Sequence, residues 1–473
     1  MSRAQYVIVG AGPAGLNAVE SIRAQDRQAD IKLVSVEPAY ARMALPYYLS
    51  GRIERAHLLT ADPAYYDRHG VEPLVGQRAV SLDTGSRQLR LSDGQVLAYD
   101  KLLLAPGSSP TVPPIPGREL PGVHTFWTLD DADRVIQAAV SQPEALMVGA
   151  GFVGLIVLSA MLKAGWRLHV TEMLPQVLPR MLDRAAASLV SDWLRARGVQ
   201  VHTETQVIAI QETPSGRKRV LMESGSQIEV DVVIVATGVR PNVDLAQAAG
   251  LQVESGILVN EYLQTSDRNV YAAGDAAQGP DRLGGPRAVH AIQPTATDHG
   301  RLAGANMAGQ SVAYPGSLSM NILDVMGLHC VSIGRWDARG LESSTAADHS
   351  RALYRRLVWE EDRLVGAVLV GPSPDLALVN DIGMAKGMIQ AQVHLGAWRR
   401  YIESNPWDLR RPFTAARVTE LLLNEPAILG PSRPRIYRFR DLQVESEFRP
   451  THSQLLRARP EALVPPIPAP PLR

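Results

Sequence analysis

The sequence contains a single cysteine, Cys330, among 473 residues. One thiol cannot form an intrachain disulfide or a CxxC redox pair, and it cannot hold an iron–sulfur cluster by itself. Because structural disulfides are typical of secreted proteins, the near absence of cysteine favours a reducing, cytoplasmic location. Cys330 lies in the apolar run GLHCVSIG, which predicts a buried small hydrophobic side chain rather than a reactive thiol.

An excess of charge of either sign is also missing, since 48 lysines and arginines balance 48 aspartates and glutamates. Proteins that bind nucleic acids or anionic membranes usually carry a basic surplus, so neither partner is expected. A secretory leader is not expected either, because strand-like apolar sequence starts at Tyr6 and only Arg3 precedes it with a charge. The sequence offers no ligand set for a metal cluster, and no metal site is predicted.

Long hydrophobic runs are limited to residues 145–162, a stretch that carries no charge. This length is close to the minimum of about 18 residues that can cross a bilayer. However, the run contains a GxGxxG pattern, and a buried parallel strand followed by a buried helix is equally apolar. We therefore predict a strand, a turn and a helix there, and no membrane span.

The sequence does contain an internal repeat. The first copy reads YVIVGAGPAGLNAVESI followed by IKLVSVE, and the second reads ALMVGAGFVGLIVLSAMLKAG followed by RLHVTE. Each copy predicts an apolar strand, a glycine turn, a helix and a second strand that ends in an acidic residue. This arrangement is typical of dinucleotide-binding folds, so the sequence predicts two such sites.

The first glycine turn consists of Gly10, Gly12 and Gly15. The first glycine allows a tight turn, the second lets a pyrophosphate approach the backbone, and the third lets helix and strand pack closely. The helix that follows points its free N–H groups and the positive end of its dipole at the phosphates. Glu37 ends the next strand, where a carboxylate can accept hydrogen bonds from a ribose diol.

The second glycine turn consists of Gly149, Gly151 and Gly154. Glu172 ends the strand that follows it. An acidic residue at this place favours the 2′-hydroxyl of NAD, whereas a 2′-phosphate requires a basic partner. Because Arg167 and Arg180 are close in sequence, NADP is disfavoured but not excluded.

These motifs resemble those of the FAD- and NAD(P)-dependent pyridine-nucleotide oxidoreductase superfamily. The resemblance covers about residues 4–390 and includes YDKLLLAPGSSP, VATGVRPN and VYAAGDAA. The members that look most similar are NADH oxidases, coenzyme A disulfide reductases, rubredoxin and ferredoxin reductases, and the flavin portion of assimilatory nitrite reductases. The resemblance implies FAD at the first glycine turn and NAD(H) at the second.

The resemblance implies an α/β protein with two three-layer, Rossmann-like dinucleotide-binding domains and an α+β C-terminal interface domain. The FAD-binding domain is expected at residues 1–112 and 245–316, and the NAD(H)-binding domain at 113–244. A C-terminal domain at 317–430 and a proline-rich, irregular tail at 431–473 would follow. In relatives the C-terminal domain commonly forms a dimer interface, so a homodimer is expected by analogy.

Further site residues are implied by the resemblance. Asp275 would hold the ribityl chain of FAD, and the backbone at Pro294-Thr295-Ala296 would face the pyrimidine ring of the flavin. The implied FAD site comprises Gly10, Gly12, Pro13, Ala14, Gly15, Glu37, Arg42, Val80, Ala105, Gly107, Gly274, Asp275, Pro294 and Thr295. The implied NAD site comprises Gly149, Gly151, Phe152, Val153, Gly154, Glu172 and Gly238.

One departure from the family pattern removes a sulfur relay. Thiol-dependent members carry a redox cysteine in a CGLPYY-like segment beside the flavin, where this chain reads MALPYY at residues 43–48. The thioether of Met43 cannot become a thiolate, a sulfenate or half of a disulfide. Thiol–disulfide chemistry at this position is therefore excluded.

A second departure concerns a lysine–glutamate pair that many cysteine-free relatives place near the flavin N5. The matching positions hold Tyr47 and Ile156, while Arg42 stands at the usual arginine. Losing both partners together avoids leaving one buried charge unpaired. We expect a more apolar nicotinamide pocket, with Tyr47 beside the isoalloxazine ring and with Arg42 and Tyr47 as the candidate catalytic residues.

Two histidines, His290 and His299, flank the segment that is expected to face the flavin. They are candidates for acid–base catalysis. Histidines near cofactors are more often hydrogen-bonded structural residues, and this structural role is favoured here.

The favoured function is an FAD-dependent NAD(P)H oxidoreductase that passes electrons from NADH through the flavin to an acceptor other than a disulfide. Both a partner redox protein, such as a ferredoxin or rubredoxin, and a small molecule, such as oxygen, stay open as acceptors. The alternative is an FAD-containing electron-transfer or structural subunit of a larger redox complex with little NADH turnover. Ile156 and the tryptophans and arginines of GAWRRYIESNPWDLRRPF, a composition typical of interfaces, favour the alternative.

Overall fold

The structure, a computed structural model, describes residues 3–138, 143–337 and 340–423. The predicted proline-rich tail at 431–473 lies outside the described residues. The strands of the described residues are β1 (Gln5–Val9), β2 (Asp30–Ser35), β3 (Val71–Val75), β4 (Ala79–Asp83), β5 (Gln88–Leu91), β6 (Val96–Ala98), β7 (Lys101–Leu104), β8 (Ser108–Pro110), β9 (Val123–His124), β10 (Glu144–Val148), β11 (Arg167–Thr171), β12 (Gln200–His202), β13 (Val207–Glu212), β14 (Lys218–Met222), β15 (Gln227–Val230), β16 (Val232–Val235), β17 (Val239–Pro241), β18 (Ile257–Leu258), β19 (Val270–Ala272), β20 (Ala277–Gln278), β21 (Met320–Asp324), β22 (Leu328–Gly334), β23 (Glu342–Asp348), β24 (Leu353–Glu360) and β25 (Arg363–Pro372).

The helices alternate with the strands in the first two thirds of the chain and gather at its end. They are α1 (Pro13–Gln25), α2 (Leu45–Leu49), α3 (Pro63–His69), α4 (Leu129–Gln137), α5 (Phe152–Lys163), α6 (Arg184–Arg195), α7 (Asp244–Ala248), α8 (Gln293–Met307), α9 (Leu376–Ala391), α10 (Ala397–Ser404), α11 (Arg410–Ala415) and α12 (Val418–Leu423). Short 3-10 helices occur at Arg42–Ala44, Arg55–Leu58, Gly274–Ala276 and His349–Arg351.

The first sequence repeat builds a five-stranded parallel sheet with the order β19-β7-β1-β2-β3. The carboxyl ends of parallel strands meet at one edge of a sheet, and ligands bind there. The residues that follow β1, β2, β7 and β19 are thereby brought to the same edge. They include Gly10, Glu37, Ala105 and Asp275.

The second repeat builds the same arrangement again, with the order β12-β11-β10-β16-β9 and parallel pairing throughout. Gly149 follows its central strand and Glu172 follows β11, as the repeat predicts. The apolar run 145–162 forms part of β10 and most of α5, and the core around it is buried. Within the described residues, no helix has the length and apolar character needed to cross a bilayer.

Helix α8 approaches α1 so closely that backbone touches backbone. A Cβ atom built on Gly300 would lie 2.2 Å from the carbonyl oxygen of Ala14, and one on Gly304 would lie 2.6 Å from that of Ala18. Only glycine fits such contacts. The two glycines therefore hold the start of α8 next to the first glycine turn.

The chain crosses between the two parallel sheets twice, and the two crossings pair as an antiparallel ribbon of β8 and β17. Two three-stranded antiparallel sheets, β4-β5-β6 and β13-β14-β15, lie outside the parallel sheets. The predicted boundaries at 112/113 and 244/245 fall just beyond the ribbon strands. These boundaries stay predictions.

The last part of the chain contains a five-stranded antiparallel sheet with the order β21-β22-β25-β24-β23, in which a hairpin turn at Glu361-Asp362 connects β24 to β25. Helix α9 packs on this sheet, and Ile402, Leu409 and Val418 of the following segment join the same core. Together with the two parallel sheets, this domain confirms the predicted fold class.

Candidate functional site

The glycine turns are shaped by contacts that exclude any side chain. A Cβ atom on Gly10 would lie 2.0 Å from the carbonyl oxygen of Ala105, and one on Gly149 would lie 2.5 Å from that of Ala236. Both glycines also have positive φ angles, +109° and +106°, which other residues rarely adopt. Each turn therefore packs directly against the residue that follows the neighbouring strand of its own sheet, β7 for the first turn and β16 for the second.

The third glycine of each turn lets the helix begin against the turn itself. A Cβ atom on Gly15 would lie 1.9 Å from the carbonyl oxygen of Gly10, and one on Gly154 would lie 2.2 Å from that of Gly149. The backbone of α1 and of α5 therefore starts in direct contact with the end of its strand.

The middle glycines behave differently. A Cβ atom on Gly12 or Gly151 would meet no atom of the described residues within 4 Å. These two residues cap α1 and α5, and neither helix start receives a hydrogen bond from a capping side chain. Open space beside free N–H groups at a helix start is what a pyrophosphate requires, so both turns fit a dinucleotide.

The two acids predicted to bind ribose lie at the expected sheet edges, and both already hold partners. Glu37 accepts hydrogen bonds from the Tyr40 hydroxyl at 2.8 Å and from Arg42 Nη2 at 3.0 Å. Glu172 accepts from the backbone N–H groups of Ala150 and Leu174, each at 3.0 Å. Each carboxylate is held in a fixed orientation beside its glycine turn.

The remaining predicted FAD residues are mostly brought to the same place. Asp275 Oδ2 accepts a hydrogen bond from the Ser108 hydroxyl at 2.7 Å. A Cβ atom on Gly274 would lie 3.4 Å from the Cβ of Ala14 and 3.5 Å from that of Ala296, so this glycine joins α1, the Asp275 segment and α8. Sequence reasoning missed Ser108, although it lies in the quoted LLLAPGSSP run.

The start of α8 offers another open helix end. Pro294 is exposed and Thr295 is buried, and no side chain caps the helix. Gly107 and Gly238, with φ angles of +72° and +119°, follow β7 and β16. Val80 lies apart from this cluster, on β4 of an outer sheet with 49% of its surface exposed, and its contact with FAD stays a prediction.

The segment in which methionine replaces the family cysteine is open. Met43 and Tyr47 lie one helical turn apart and are 50% and 52% exposed. Tyr48 is anchored instead, because its hydroxyl donates to Asp133 Oδ1 at 2.8 Å. Two large side chains of this segment, Met43 and Tyr47, are therefore accessible from outside the protein.

The first turns of α5 carry apolar side chains, and one of them stands where many cysteine-free relatives are expected to have a glutamate. Phe152, Val153 and Ile156 are partly buried and pack against a core that includes Leu155 and Leu45. Ile156 thus packs as an apolar side chain at this position. This agrees with the predicted apolar character of the nicotinamide pocket.

His299 is enclosed within the protein, with 1% of its surface exposed. Neither ring nitrogen has a hydrogen-bond partner among the described residues, and the ring meets Tyr314 edge-on at 4.8 Å between centroids. Burial, together with a smaller contribution from the nearby His290, lowers the pKa of His299 to about 3. Burial also lowers the pKa of His290, against the opposing effect of Asp281. A neutral, enclosed ring favours the structural role for His299.

This burial predicts a pH-dependent stability. The unfolded chain binds a proton at His299 near the ordinary pKa of about 6.5, whereas the folded protein does not until about pH 3. Because the unfolded state holds more protons in between, stability should fall as the pH drops from 6.5, by about 1.4 kcal/mol per pH unit well below 6.5.

Melting temperatures measured from pH 7 to pH 5 test this prediction. The variant His299→Asn should show a shallower slope than the wild type, because one histidine fewer takes up a proton on unfolding. The exposed His57 serves as the control, and His57→Asn should keep the wild-type slope. Equal slopes for wild type and His299→Asn would contradict the prediction.

Cys330 lies in β22 and is fully buried. Burial raises the pKa of its thiol, since the charged thiolate is disfavoured away from water. The predicted role of an inert hydrophobic side chain agrees with this position.

Residues 4–296 match the family model of the pyridine nucleotide-disulphide oxidoreductases. The chain belongs to this family. Residues 320–382 also match the model of the rubredoxin NAD+ reductase C-terminal domain. The second match coincides with the antiparallel sheet and the first half of α9.

Characterised relatives extend over most of the chain. The NADH-dependent phenylglyoxylate dehydrogenase subunit epsilon of Aromatoleum evansii is 32% identical over 412 residues, which cover 85% of this chain and 95% of that protein. Rhodocoxin reductase of Rhodococcus erythropolis is 34% identical over 65% of this chain and 73% of its own. The nitrite reductase (NADH) large subunit of Escherichia coli is 32% identical over 79% of this chain, which spans only 45% of that protein.

Solved structures share the whole architecture. The putidaredoxin reductase–putidaredoxin complex matches with a TM-score of 0.79 and 25% identity, covering 88% of this chain and 100% of that one. A NAD-dependent persulfide reductase from A. fulgidus matches with a TM-score of 0.77 and 29% identity, covering 89% and 84%. The predicted family, enzyme class and cofactor pair are confirmed: the protein is an FAD-dependent NAD(P)H oxidoreductase.

Proposed function

We propose that the protein takes electrons from NADH and passes them through FAD to a partner redox protein. The observation that carries this proposal is the pair of glycine turns, each with open space over its middle glycine and each on its own parallel sheet. FAD supplies the chemistry when bound, by accepting hydride and releasing electrons singly or in pairs. The names of rhodocoxin reductase and putidaredoxin reductase support a protein acceptor.

The residues of this chain bind and orient rather than react. The first glycine turn, Glu37 and Asp275 would hold FAD, and the second glycine turn with Glu172 would hold NADH. Tyr47 and Met43, both half exposed, would lie against the rings and keep water away from them. A thioether in place of a thiol leaves no covalent sulfur step at this position.

We propose NADH rather than NADPH as the donor, because the Glu172 carboxylate ends β11 beside the second glycine turn. Replacing Glu172 with alanine should weaken the binding of NADH by about 10- to 100-fold, which corresponds to the loss of one hydrogen bond to a charged group. The affinity for NADPH should change much less. Titration of the oxidised protein with each nucleotide measures this, and equal losses for both would contradict the assignment.

The variant Glu172→Gln is a useful control for that experiment. Its single amide oxygen can accept from the N–H group of Ala150 or of Leu174 but not from both, so one of the two hydrogen bonds to the loop is kept. The charge that repels a 2′-phosphate is removed. We expect this variant to discriminate less between NADH and NADPH, and to be destabilised less than Glu172→Ala.

An anaerobic spectrum tests the proposed function directly. NADH added to the FAD-loaded protein should bleach the absorbance of oxidised flavin near 450 nm within seconds, about the time of ordinary enzyme turnover. Ferredoxin, rubredoxin and oxygen can then be added separately to the reduced protein. Recovery of the colour with an iron–sulfur or rubredoxin protein at a rate well above that with oxygen would support a protein acceptor.

A second candidate function is an electron-transfer subunit of a larger complex. The relative from Aromatoleum evansii, which aligns with 85% of this chain, is named as a subunit, and the chain spans less than half of the nitrite reductase large subunit. Ile156, packed where many cysteine-free relatives are expected to have a glutamate, also favours slow electron exchange with NADH. Loaded flavin that stays oxidised with NADH, and becomes reduced only when a stably bound partner is present, would support this candidate.

We also propose that the protein is a homodimer in which the C-terminal domain forms the interface. Leu376 and Leu423 are 76% and 63% exposed, and Val379 and Leu421 are 45% and 46% exposed, so α9 and α12 each carry exposed large apolar side chains. Sedimentation velocity should give twice the chain mass, and glutamate at both Leu376 and Leu423 should give a monomer. A monomeric wild type would contradict the proposal. The cytoplasmic location stays an expectation.

A further inference from the structure

A tryptophan from the middle of the chain reaches into the predicted FAD site. Trp127 lies between β9 and α4, within the residues predicted to form the NAD(H)-binding domain. We propose that Trp127 is a positioning residue for FAD, which fixes Arg42 and Ser108 and through them the two acids Glu37 and Asp275. This inference rests on the proposed FAD site.

The first half of the arrangement concerns Arg42. Its Nη1 donates to the carbonyl oxygen of Trp127 at 2.7 Å, and its Nη2 donates to Glu37 Oε2 at 3.0 Å. The guanidinium carbon also lies 5.2 Å from the indole centroid and 5.6 Å from the ring of Tyr40, which are cation–π distances. A guanidinium has five N–H donors, and these bonds fix its plane while using two of them.

The second half concerns the carbonyl group of Ser108. Thr111 donates its N–H to Gly238 and Asn242 donates its N–H to Gly107 across the ribbon of β8 and β17. Ser108 is therefore opposite Pro241 at a position without ladder hydrogen bonds, and its carbonyl points away from β17.

The indole supplies the donor that this carbonyl does not find in β17. Trp127 Nε1 donates a hydrogen bond to the carbonyl oxygen of Ser108 at 2.8 Å. The hydroxyl of the same Ser108 donates to Asp275 at 2.7 Å. One side chain thus connects the residue that orients Glu37 with the residue that orients Asp275.

The loop that carries Trp127 is itself held in place by hydrogen bonds. Asp131 Oδ2 accepts from the N–H groups of Trp127 and Thr128 at 3.0 and 3.1 Å and from the Thr125 hydroxyl at 3.1 Å. Thr128 and Asp131 also form a capping box at the start of α4. Because the indole is anchored in this way, it holds Arg42 and Ser108 at a fixed separation instead of following them.

The variant Trp127→Phe tests the inference because it removes the indole N–H and keeps an aromatic face. A single lost hydrogen bond corresponds to roughly a 2- to 10-fold rise in the dissociation constant of FAD. Trp127→Leu also removes the aromatic ring beside Arg42, so it should weaken the binding of FAD further. Dissociation constants are measured by titrating apoprotein with FAD well below the melting temperature and following flavin fluorescence.

Trp193 provides a matched control. Its Nε1 donates to the carbonyl oxygen of Val325 at 3.1 Å, and the guanidinium carbon of Arg197 lies 3.5 Å from its ring centroid. Trp193→Phe therefore removes the same kind of bond far from the glycine turns along the chain. It should lower the melting temperature of the apoprotein as Trp127→Phe does, but leave the affinity for FAD unchanged.

Hydrogen exchange of the wild-type protein tests the same inference without any substitution. Binding of FAD should slow exchange in residues 124–131 as well as in the first glycine turn, and should leave residues 190–197 unchanged. Unchanged exchange in 124–131 would overturn the inference, and so would a wild-type affinity for FAD in both Trp127 variants. A wild-type protein that binds no FAD at all would instead overturn the proposed function.

Discussion

Alanine at Gly12 is expected to remove FAD binding while the apoprotein stays folded. The added methyl group would meet no atom of the described residues within 4 Å, and the φ angle of −76° at Gly12 suits any residue. The methyl group would instead fill the space that the pyrophosphate needs in order to reach the backbone. We expect the affinity for FAD to fall by at least about 100-fold, or ~2.8 kcal/mol.

The second glycine turn supplies the matched control for this experiment. Gly151 has a φ angle of −79° and is equally open. Gly151→Ala should bind FAD normally and lose its reduction by NADH. By contrast, Gly15→Ala should destabilise the fold itself, because its Cβ would lie 1.9 Å from the carbonyl oxygen of Gly10. Normal FAD affinity in a folded Gly12→Ala variant would contradict the assignment of the first turn.

Removal of Asp381 is expected to destabilise the C-terminal domain by about 3–5 kcal/mol. Its carboxylate accepts a hydrogen bond from Arg355, and the two side chains are 11% and 3% exposed. Arg355 also donates to the carbonyl oxygen of Pro406. Without the aspartate, a guanidinium charge stays buried with its main counterion gone. Denaturant unfolding followed by tryptophan fluorescence measures the loss for Asp381→Ala.

Two further variants distinguish the cost of leaving a buried charge unpaired from the small cost of breaking an exposed ion pair. Glu403→Ala breaks an exposed pair with Arg399 on α10, for which we expect a loss below about 1 kcal/mol. The double variant Arg355→Met with Asp381→Leu should recover most of the loss, because apolar side chains of similar size can replace a buried pair. A loss for Asp381→Ala no larger than that for Glu403→Ala would show that the charge finds another partner.

The parts of the fold that the sequence predicts are those encoded within short stretches. Each glycine turn, with the strand before it and the helix after it, depends on contacts between residues close in the chain. The acids Glu37 and Glu172 could be placed because the ends of parallel strands meet at one edge.

The parts that could not be predicted depend on residues far apart in the chain. Ser108 meets Asp275 across 167 positions, and Trp127 meets Arg42 across 85. No periodicity or motif links such residues, and a tryptophan in a loop is usually packing alone.

The close contact of α8 with α1 was missed for another reason. Gly300 and Gly304 are spaced by four residues, so they lie on one face of the helix. This spacing was present in the sequence, but a glycine inside a helix is more often read as a weak point. Only the distance to the backbone of Ala14 and Ala18 shows that both are required.

Helix α5 and strand β10 have a consequence for synthesis of the protein in the cell. Residues 145–162 leave the ribosome well before β16, the neighbour that pairs with β10. At roughly 5–20 residues per second, this uncharged segment waits about 4–15 s for Val235 to emerge. During that interval its apolar surface is exposed to holding chaperones and to neighbouring nascent chains.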